Sequence, residues 1–261
     1  MDASQRVALV TGAANGIGKS IALRLANDEF DVALNDLAQN AGLLQDLKEE
    51  IEMLGGKVLV IVADVTVEEE VKRMIDTAVK ELGSLDMVAN AGIMVFKSIN
   101  TTSLYDFEQT MAVNVRGVFL CYKYAGLAMI ASGTKNGRIV GACSFAGKRG
   151  SSMCGAYCAS KFAVRGLTQS YAAELGPHGI TVNAYAPGII DTDMVKRIDA
   201  AYQAHTSSPA GALYEWGKTL TPLGRTGTAR DVAGLVSYLA RPEASFVTGQ
   251  SIPVDGGAFF D

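Results

Sequence analysis

Histidine is scarce in this 261-residue chain: only His178 and His205 are present. The four cysteines, Cys121, Cys143, Cys154 and Cys158, contain no C-x-x-C pair. These two shortages remove the usual ligand sets for zinc, so no metal site is expected. Residues 1–6 lack the basic and apolar stretches of a secretory signal, so the thiols are expected to be reduced and buried rather than paired. No apolar run approaches the ~20 residues that a membrane-spanning helix needs. Neither sign of charge dominates: 23 Lys+Arg stand against 27 Asp+Glu, a net charge of −4. That balance offers no electrostatic ground for binding nucleic acid or an anionic membrane. The expectation is a cytoplasmic protein acting on a small molecule.

Hydrophobic residues are plentiful at 49%, enough for a large core. They fall into short β-branched runs: Val7-Ala8-Leu9-Val10, Val32-Ala33-Leu34, Val58-Leu59-Val60-Ile61-Val62, Met87-Val88-Ala89, Ile139-Val140, Thr181-Val182-Asn183-Ala184 and Ser251-Ile252-Pro253-Val254. Near-continuous apolar strands suit a sheet covered on both faces. Between them lie helix-length segments, such as 67–82, where Val67, Val71, Ile75, Ala78, Val79 and Leu82 recur at helical spacing. This alternation predicts a Rossmann-like, doubly wound, seven-stranded and mainly parallel sheet with helices on both faces, in one α/β domain over 1–261. Residues 191–222 carry the weakest periodicity and read as a long loop, of the kind that often serves as a substrate lid.

The first strand runs into Thr11-Gly12-Ala13-Ala14-Asn15-Gly16-Ile17-Gly18. The spacing differs from G-x-G-x-x-G, but the physics is the same. Glycines allow a tight strand-to-helix turn, and the helix N-terminus offers unpaired N–H groups to a pyrophosphate. Asp36 ends the second strand 18 residues past Gly18, where a carboxylate would accept the adenosine ribose hydroxyls and repel a 2′-phosphate. No Arg or Lys occupies 13–15 or 37, so NAD(H) is the expected cofactor. Asp64-Val65 closes the third strand, where an adenine would lie, and Asn90-Ala91-Gly92 closes the fourth. All three positions are carboxyl ends of strands, the edge where open parallel sheets bind ligands.

Tyr157 and Lys161 are four apart in Tyr-Cys-Ala-Ser-Lys, which puts phenol and ammonium on one helix face. Ser144 lies 13 residues earlier at the end of the fifth strand, and Asn114 lies upstream. With Pro187-Gly188, Thr248-Gly249-Gln250 and Asp255-Gly256-Gly257, these motifs resemble the short-chain dehydrogenase/reductase family over residues 6–257. The resemblance implies that Tyr157 is the acid/base and that Lys161 favours its phenolate and holds the nicotinamide ribose. It implies that Ser144 donates to the substrate oxygen and Asn114 anchors a water relay. Cofactor contacts are implied at Gly12, Asn15, Gly16, Ile17, Gly18, Asp36, Asp64, Val65, Asn90, Ala91, Gly92, Tyr157, Lys161, Pro187, Gly188, Ile190 and Thr192, with Thr192 on the carboxamide.

Stretches such as Ala142-Cys143-Ser144 and 160–169 are similar to acetoin (diacetyl) reductases, also called 2,3-butanediol dehydrogenases. Those enzymes carry Gln after the catalytic serine, whereas this chain carries Phe145. A phenyl ring cannot bond a second substrate oxygen, so a bulkier, less polar alcohol is as consistent as acetoin. Phe145, Met194 and Trp216, with Ser144 and Tyr157, are the expected substrate contacts. The expected reaction interconverts a secondary alcohol and its ketone. Two rivals are an NADPH-dependent 3-oxoacyl-[acyl-carrier-protein] reductase and a non-catalytic NAD-binding sensor. By analogy with relatives, a homotetramer is expected, with the apolar Phe259-Phe260-Asp261 end buried against another subunit.

Overall fold

A computed structural model describes residues 6–260. Each β-branched run forms a strand: β1 (Val7–Thr11), β2 (Asp31–Asp36), β3 (Val58–Val62), β4 (Asp86–Ala89), β5 (Arg138–Ala142), β6 (Thr181–Pro187) and β7 (Ser251–Val254). They join one sheet in the order β3-β2-β1-β4-β5-β6-β7. Every pairing is parallel, with Leu9 of β1 set beside Ala33 of β2 and Met87 of β4. Parallel neighbours need long crossovers, and helices supply them. These are α1 (Gly16–Asn27), α2 (Ala41–Met53), α3 (Glu68–Leu82), α4 (Leu104–Met111), α5 (Val118–Ala131), α6 (Gly155–Leu175), α7 (Asp193–Thr206), α8 (Ala212–Leu220) and α9 (Ala229–Ala240).

The two-residue period of the strands divides the interior into two cores. Ala8 and Val10 face one side with Ile21 and Leu25 of α1, Leu44, Leu47 and Ile51 of α2, and Val232 and Val236 of α9. Leu9 faces the other with Met74 and Ile75 of α3, Leu120 and Cys121 of α5, and Val164 of α6. Burying each such aliphatic side chain stabilises the fold by about 1.5–3 kcal/mol. Helix ends follow the sequence. Helix α3 opens on Glu68, Glu69 and Glu70, carries Lys80 in its last turn and stops at Gly83 with φ +91°, which suits the helix dipole at both ends. Thr228 and Asp231 close a reciprocal cap on α9.

Residues 191–222 depart from the expected loop, since they hold α7 and α8. Met194, Ile198 and Tyr202 lie four apart, so α7 has a face to bury, and Tyr202 packs edge-on against Phe96 at 6.0 Å. Helix α8 begins at Gly211, which has no side chain to cap it. Buried Asp199 of α7 does this instead, accepting the N–H groups of Gly211 (2.8 Å) and Leu213 (2.9 Å) and the Gln203 amide (2.7 Å). The cap is remote in sequence, so local periodicity carried no sign of it.

At the amino ends of the strands, Asp86 accepts the Arg138 N–H at 2.7 Å and an ion pair from Arg6. Arg6 also donates to Ala240 O and stacks on Phe30 at 4.7 Å. Burial pushes the Asp86 carboxyl up to about 6, while Arg6 and the Arg138 N–H pull it back, so it is ionised at neutral pH. Removing it leaves the buried Arg138 N–H without its acceptor and Arg6 without its ion-pair partner. Asp86→Ala is therefore expected to lower unfolding stability by about 3–5 kcal/mol, measured by urea denaturation.

Candidate active site

The turn between β1 and α1 is shaped by two glycines that no other residue replaces. Gly12 sits at φ +64°, and a Cβ there would lie 2.9 Å from the Ala91 backbone. A Cβ on Gly18 would lie 2.1 Å from Gly12 O, because the turn folds back onto the first turn of the helix. Asn90 straps this turn to the sheet. Its amide donates to Thr11 O (2.9 Å) and Gly12 O (3.1 Å), and its carbonyl accepts the Tyr185 hydroxyl at 2.6 Å. Thr11 Oγ1 in turn accepts the N–H groups of Asn90 and Ala91 at 3.1 Å.

Helix α1 has no acidic residue in its first turn, and exposed Asn15 makes no side-chain cap bond there. Its leading N–H groups and dipole are left available to an anion. A Cβ on Gly16 would lie 3.5 Å from Thr192 Cγ2, so Gly16 and Thr192 face each other across this N-terminus. Ile17 packs partly against the core and Ile190 is buried in it. Gly188 N donates to Val254 O at 3.1 Å, just after Pro187 ends β6.

Asp36 stands at the end of β2 beside the same turn. One carboxylate oxygen accepts Leu37 N (2.8 Å) and the Asn40 amide (2.7 Å), and the other accepts Ala14 N at 3.1 Å. Asp64 uses one oxygen to hold Thr66 N at 2.8 Å, and Val65 packs beneath the chain at Gly117. The positions named from sequence at the ends of β1, β2, β3 and β4 thus share one edge of the sheet. The cradle fits a dinucleotide: a tight glycine turn, an uncapped helix N-terminus and a carboxylate at the second strand.

Ser144, Tyr157 and Lys161 converge where β5 meets α6. The Ser144 hydroxyl accepts Ala146 N at 3.1 Å and hydrogen-bonds the Tyr157 phenol. Lys161 is 3% exposed, donates to Ala142 O at 2.7 Å and places its ammonium 5.4 Å from the Tyr157 ring centre. A Cβ on Gly92 would lie 3.5 Å from Lys161 Nζ, so the cofactor loop and this lysine adjoin. Burial pushes the phenol above its ordinary range, with the thiols of Cys143, Cys154 and Cys158 adding to the rise and Ser144 opposing it. Burial also pulls the Lys161 ammonium down to about 8. All four thiols are buried and unpaired, and no cluster of three metal-ligating groups occurs among the described residues.

Asn114 lies in a π-turn (Ala112–Gly117) that joins α4 to α5. Its amide is committed to structure: it accepts Ile93 N (2.8 Å) and donates to Ile93 O (2.8 Å) and to Ser160 Oγ (3.0 Å). Ser160 passes the link on to Tyr157 O at 2.7 Å. Asn114 therefore ties the cofactor loop to the helix carrying Tyr157. Ser160, Thr11 and Tyr185 were absent from the sequence-based site, because each acts through partners 46–95 positions away.

A cavity of about 280 Å³ is lined by Phe145, the residue after Ser144, with Arg149, Ile189, Trp216, Leu220 and Phe259 among others. Phe145 and Trp216, two of the substrate contacts named from sequence, line it, whereas Ser144 and Tyr157 are not among the lining residues. Met194, on the first turn of α7, is not among the lining residues. Tyr157 packs against a separate small cluster of Met94, Phe96, Ala146, Cys154 and Cys158. Phe259 is half-buried here with Arg149 over its ring, while Phe260 is 83% exposed. Asp261 lies outside the described residues.

Residues 12–258 match a family described as enoyl-(acyl carrier protein) reductase. A short-chain dehydrogenase/reductase of Armillaria gallica is 52% identical over 257 residues, 98% of this chain and 97% of that protein. The L-2,3-butanediol dehydrogenase of Corynebacterium glutamicum is 41% identical over 98% of this chain and 99% of its own. Among solved structures, a short-chain dehydrogenase from Burkholderia cenocepacia in complex with NADP superposes with a TM-score of 0.86 at 37% identity, covering 98% of each chain.

The depressed Lys161 value has a thermodynamic consequence. An unfolded lysine holds its proton to about pH 10.4, so between about 8 and 10 the unfolded chain binds more protons here and this residue's share of stability rises with pH. Below pH 8 the buried charge is a burden on the cofactor-free fold. Lys161→Met is expected to raise stability at pH 7 by roughly 1–3 kcal/mol, with the gain shrinking toward pH 10. Parallel denaturant titrations of the two proteins at pH 7 and pH 10 measure it.

Proposed function

The chain belongs to the short-chain dehydrogenase/reductase family, and on that footing we propose that it is an NAD(H)-dependent oxidoreductase interconverting a secondary alcohol and its ketone. One observation carries this reading. The Tyr157 phenol, bonded to Ser144 and adjoining a buried ammonium, opens on the same strand ends as the uncapped N-terminus of α1.

Gly12, Gly16, Gly18 and Thr192 would hold the pyrophosphate end, Asp36 the adenosine ribose, and Lys161 the nicotinamide ribose. The nicotinamide supplies or accepts the hydride, the step no side chain can perform. In the direction of reduction, Tyr157 gives its proton to the carbonyl oxygen. Its elevated affinity for that proton keeps it a stocked acid, and the Ser144 hydroxyl donates to the oxygen as negative charge builds. In the direction of oxidation, Tyr157 takes the alcohol proton as phenolate. The Lys161 charge and the cationic oxidised cofactor oppose the effect of burial and favour that form. Asn114, through Ser160, fixes the helical turn from which Tyr157 projects.

Phe145 supports a substrate bulkier and less polar than acetoin, since it lines the cavity with Ile189, Trp216 and Leu220. Preference for NAD(H) rests on Asp36. A 2′-phosphate would bring two negative charges against a carboxylate that already closes on Ala14 N. The rival reading, an NADPH-dependent 3-oxoacyl-[acyl-carrier-protein] reductase, draws on the carrier-protein wording of the matched family and on the NADP bound by one solved relative. We further propose a cytoplasmic homotetramer, for which exposed Phe119, Leu127 and Phe162 on α5 and α6 supply apolar surface. No helix among the described residues is long and apolar enough to cross a membrane.

Tyr157→Phe is expected to lower kcat by roughly 10²–10⁴-fold, the usual contribution of a positioned acid/base. NADH affinity, followed by fluorescence titration, should stay within a few-fold, and retained turnover would remove Tyr157 from the reaction. Asp36→Ala is expected to shift the NAD/NADP ratio of kcat/KM toward NADP by about tenfold or more, as removal of one close charge of like sign allows. A ratio favouring NADP in the unaltered protein would support the carrier-protein reading instead.

A further inference from the structure

The cavity that Phe145 lines has apolar walls and one cationic side chain. Phe145, Ile189, Trp216, Leu220 and Phe259 supply the walls, and among the described residues Arg149 is the one charged residue lining it. Among the described residues no carboxylate lines it; its other polar side chains are the hydroxyls of serines and threonines and the Trp216 indole. The Arg149 N–H bonds Phe145 O at 3.2 Å, so Arg149 sits one turn beyond the residue that follows Ser144. Its guanidinium lies 5.3 Å from the Phe259 ring centre and makes no ion pair among the described residues. A guanidinium on an aromatic face is restrained, while its in-plane N–H donors keep the fork that matches a carboxylate.

We propose that Arg149 is a specificity residue that pairs with a carboxylate on the substrate. The molecule turned over at Tyr157 is then a ring-sized, otherwise apolar alcohol or ketone with an acid group at the end away from the reacting carbon. This rests on the alcohol–ketone reading above and narrows its substrate class. The cavity, about 280 Å³, lies near the small end of ligand pockets, which run from roughly 300 Å³ upward. That size suits one ring and its substituents. Phe145 and Trp216 would flank the ring, and Phe259 would hold the guanidinium at the mouth. The tail residue is thereby assigned to the substrate site of its own chain.

The test compares two aryl ketones of one shape, 4-acetylbenzoate and its methyl ester, with NADH as reductant. The unaltered protein is expected to favour the acid by about five- to tenfold in kcat/KM, mainly through KM, as a partly exposed bidentate pair allows. Added salt should shrink that preference. Arg149→Met is expected to abolish it by raising the KM for the acid to that for the ester, and Arg149→Lys should restore part of it. No preference for the acid, or a preference that survives in Arg149→Met, overturns the proposal. Calorimetric binding of 4-acetylbenzoate to the NAD-loaded protein provides a readout independent of turnover. If neither ketone is reduced, the alcohol–ketone reading fails on its own. Equal binding to the unaltered and Arg149→Met proteins would then overturn the role of Arg149 as well.

Discussion

The hydrogen bonds around Asn90 are the constraint on which the site depends. The strand order reverses between β1 and β4, and at that point a parallel sheet leaves a crevice at its carboxyl edge. A crevice alone does not hold a shape. Asn90 ties the glycine turn of β1 to its own strand and, through Tyr185, to β6, while Thr11 Oγ1 accepts two N–H groups from the β4 loop. Thr11 and Tyr185 are buried and Asn90 is half-buried, so the bonds act in a medium that strengthens them and penalises their loss. The dinucleotide turn and the Tyr157 region are thus referred to one rigid frame. Asn114 and Ser160 extend that frame to α6.

Two buried charges illustrate different uses of the same physics. Asp86 at the amino edge is matched by Arg6 and by a backbone N–H, so its ionised form is compensated and serves the fold. Lys161 at the carboxyl edge has only a carbonyl oxygen as its direct polar partner, and burial lowers its proton affinity accordingly. An ammonium held at a cost is what a neighbouring phenolate needs, since forming the anion relieves both groups. Stability is conceded at the carboxyl edge, where the proposed chemistry lies, and kept at the opposite edge.

Much of the architecture was legible in order along the chain. The seven strands stand where the β-branched runs are, and α3 lies within one residue of the stretch marked by Val67, Val71, Ile75 and Leu82. Gly12, Gly18, Asp36, Ser144, Tyr157 and Lys161 come to one edge, as strand-end positions and i, i+4 spacing imply. The failure at 191–222 has a definite cause. Helix α8 depends on a cap from Asp199, twelve positions before Gly211, so its start carries no local signal. The chain end likewise shows Phe259 under the Arg149 guanidinium of its own fold, a pairing across 110 positions that apolar composition did not suggest.

Local chemistry determined what this protein is made to hold and what it can do. A glycine turn before a helix, an acid after the second strand, and a phenol one turn from an amine are all relations among near neighbours, and backbone geometry converts them directly into position. Tertiary structure alone decided how those parts are braced and what enters beside them. It placed the strap through Tyr185, the staple between α7 and α8, and the Arg149–Phe259 contact at an aromatic cavity. Those features join side chains whose separation along the chain carries no periodic signature, so they exist only once packing has closed the distance.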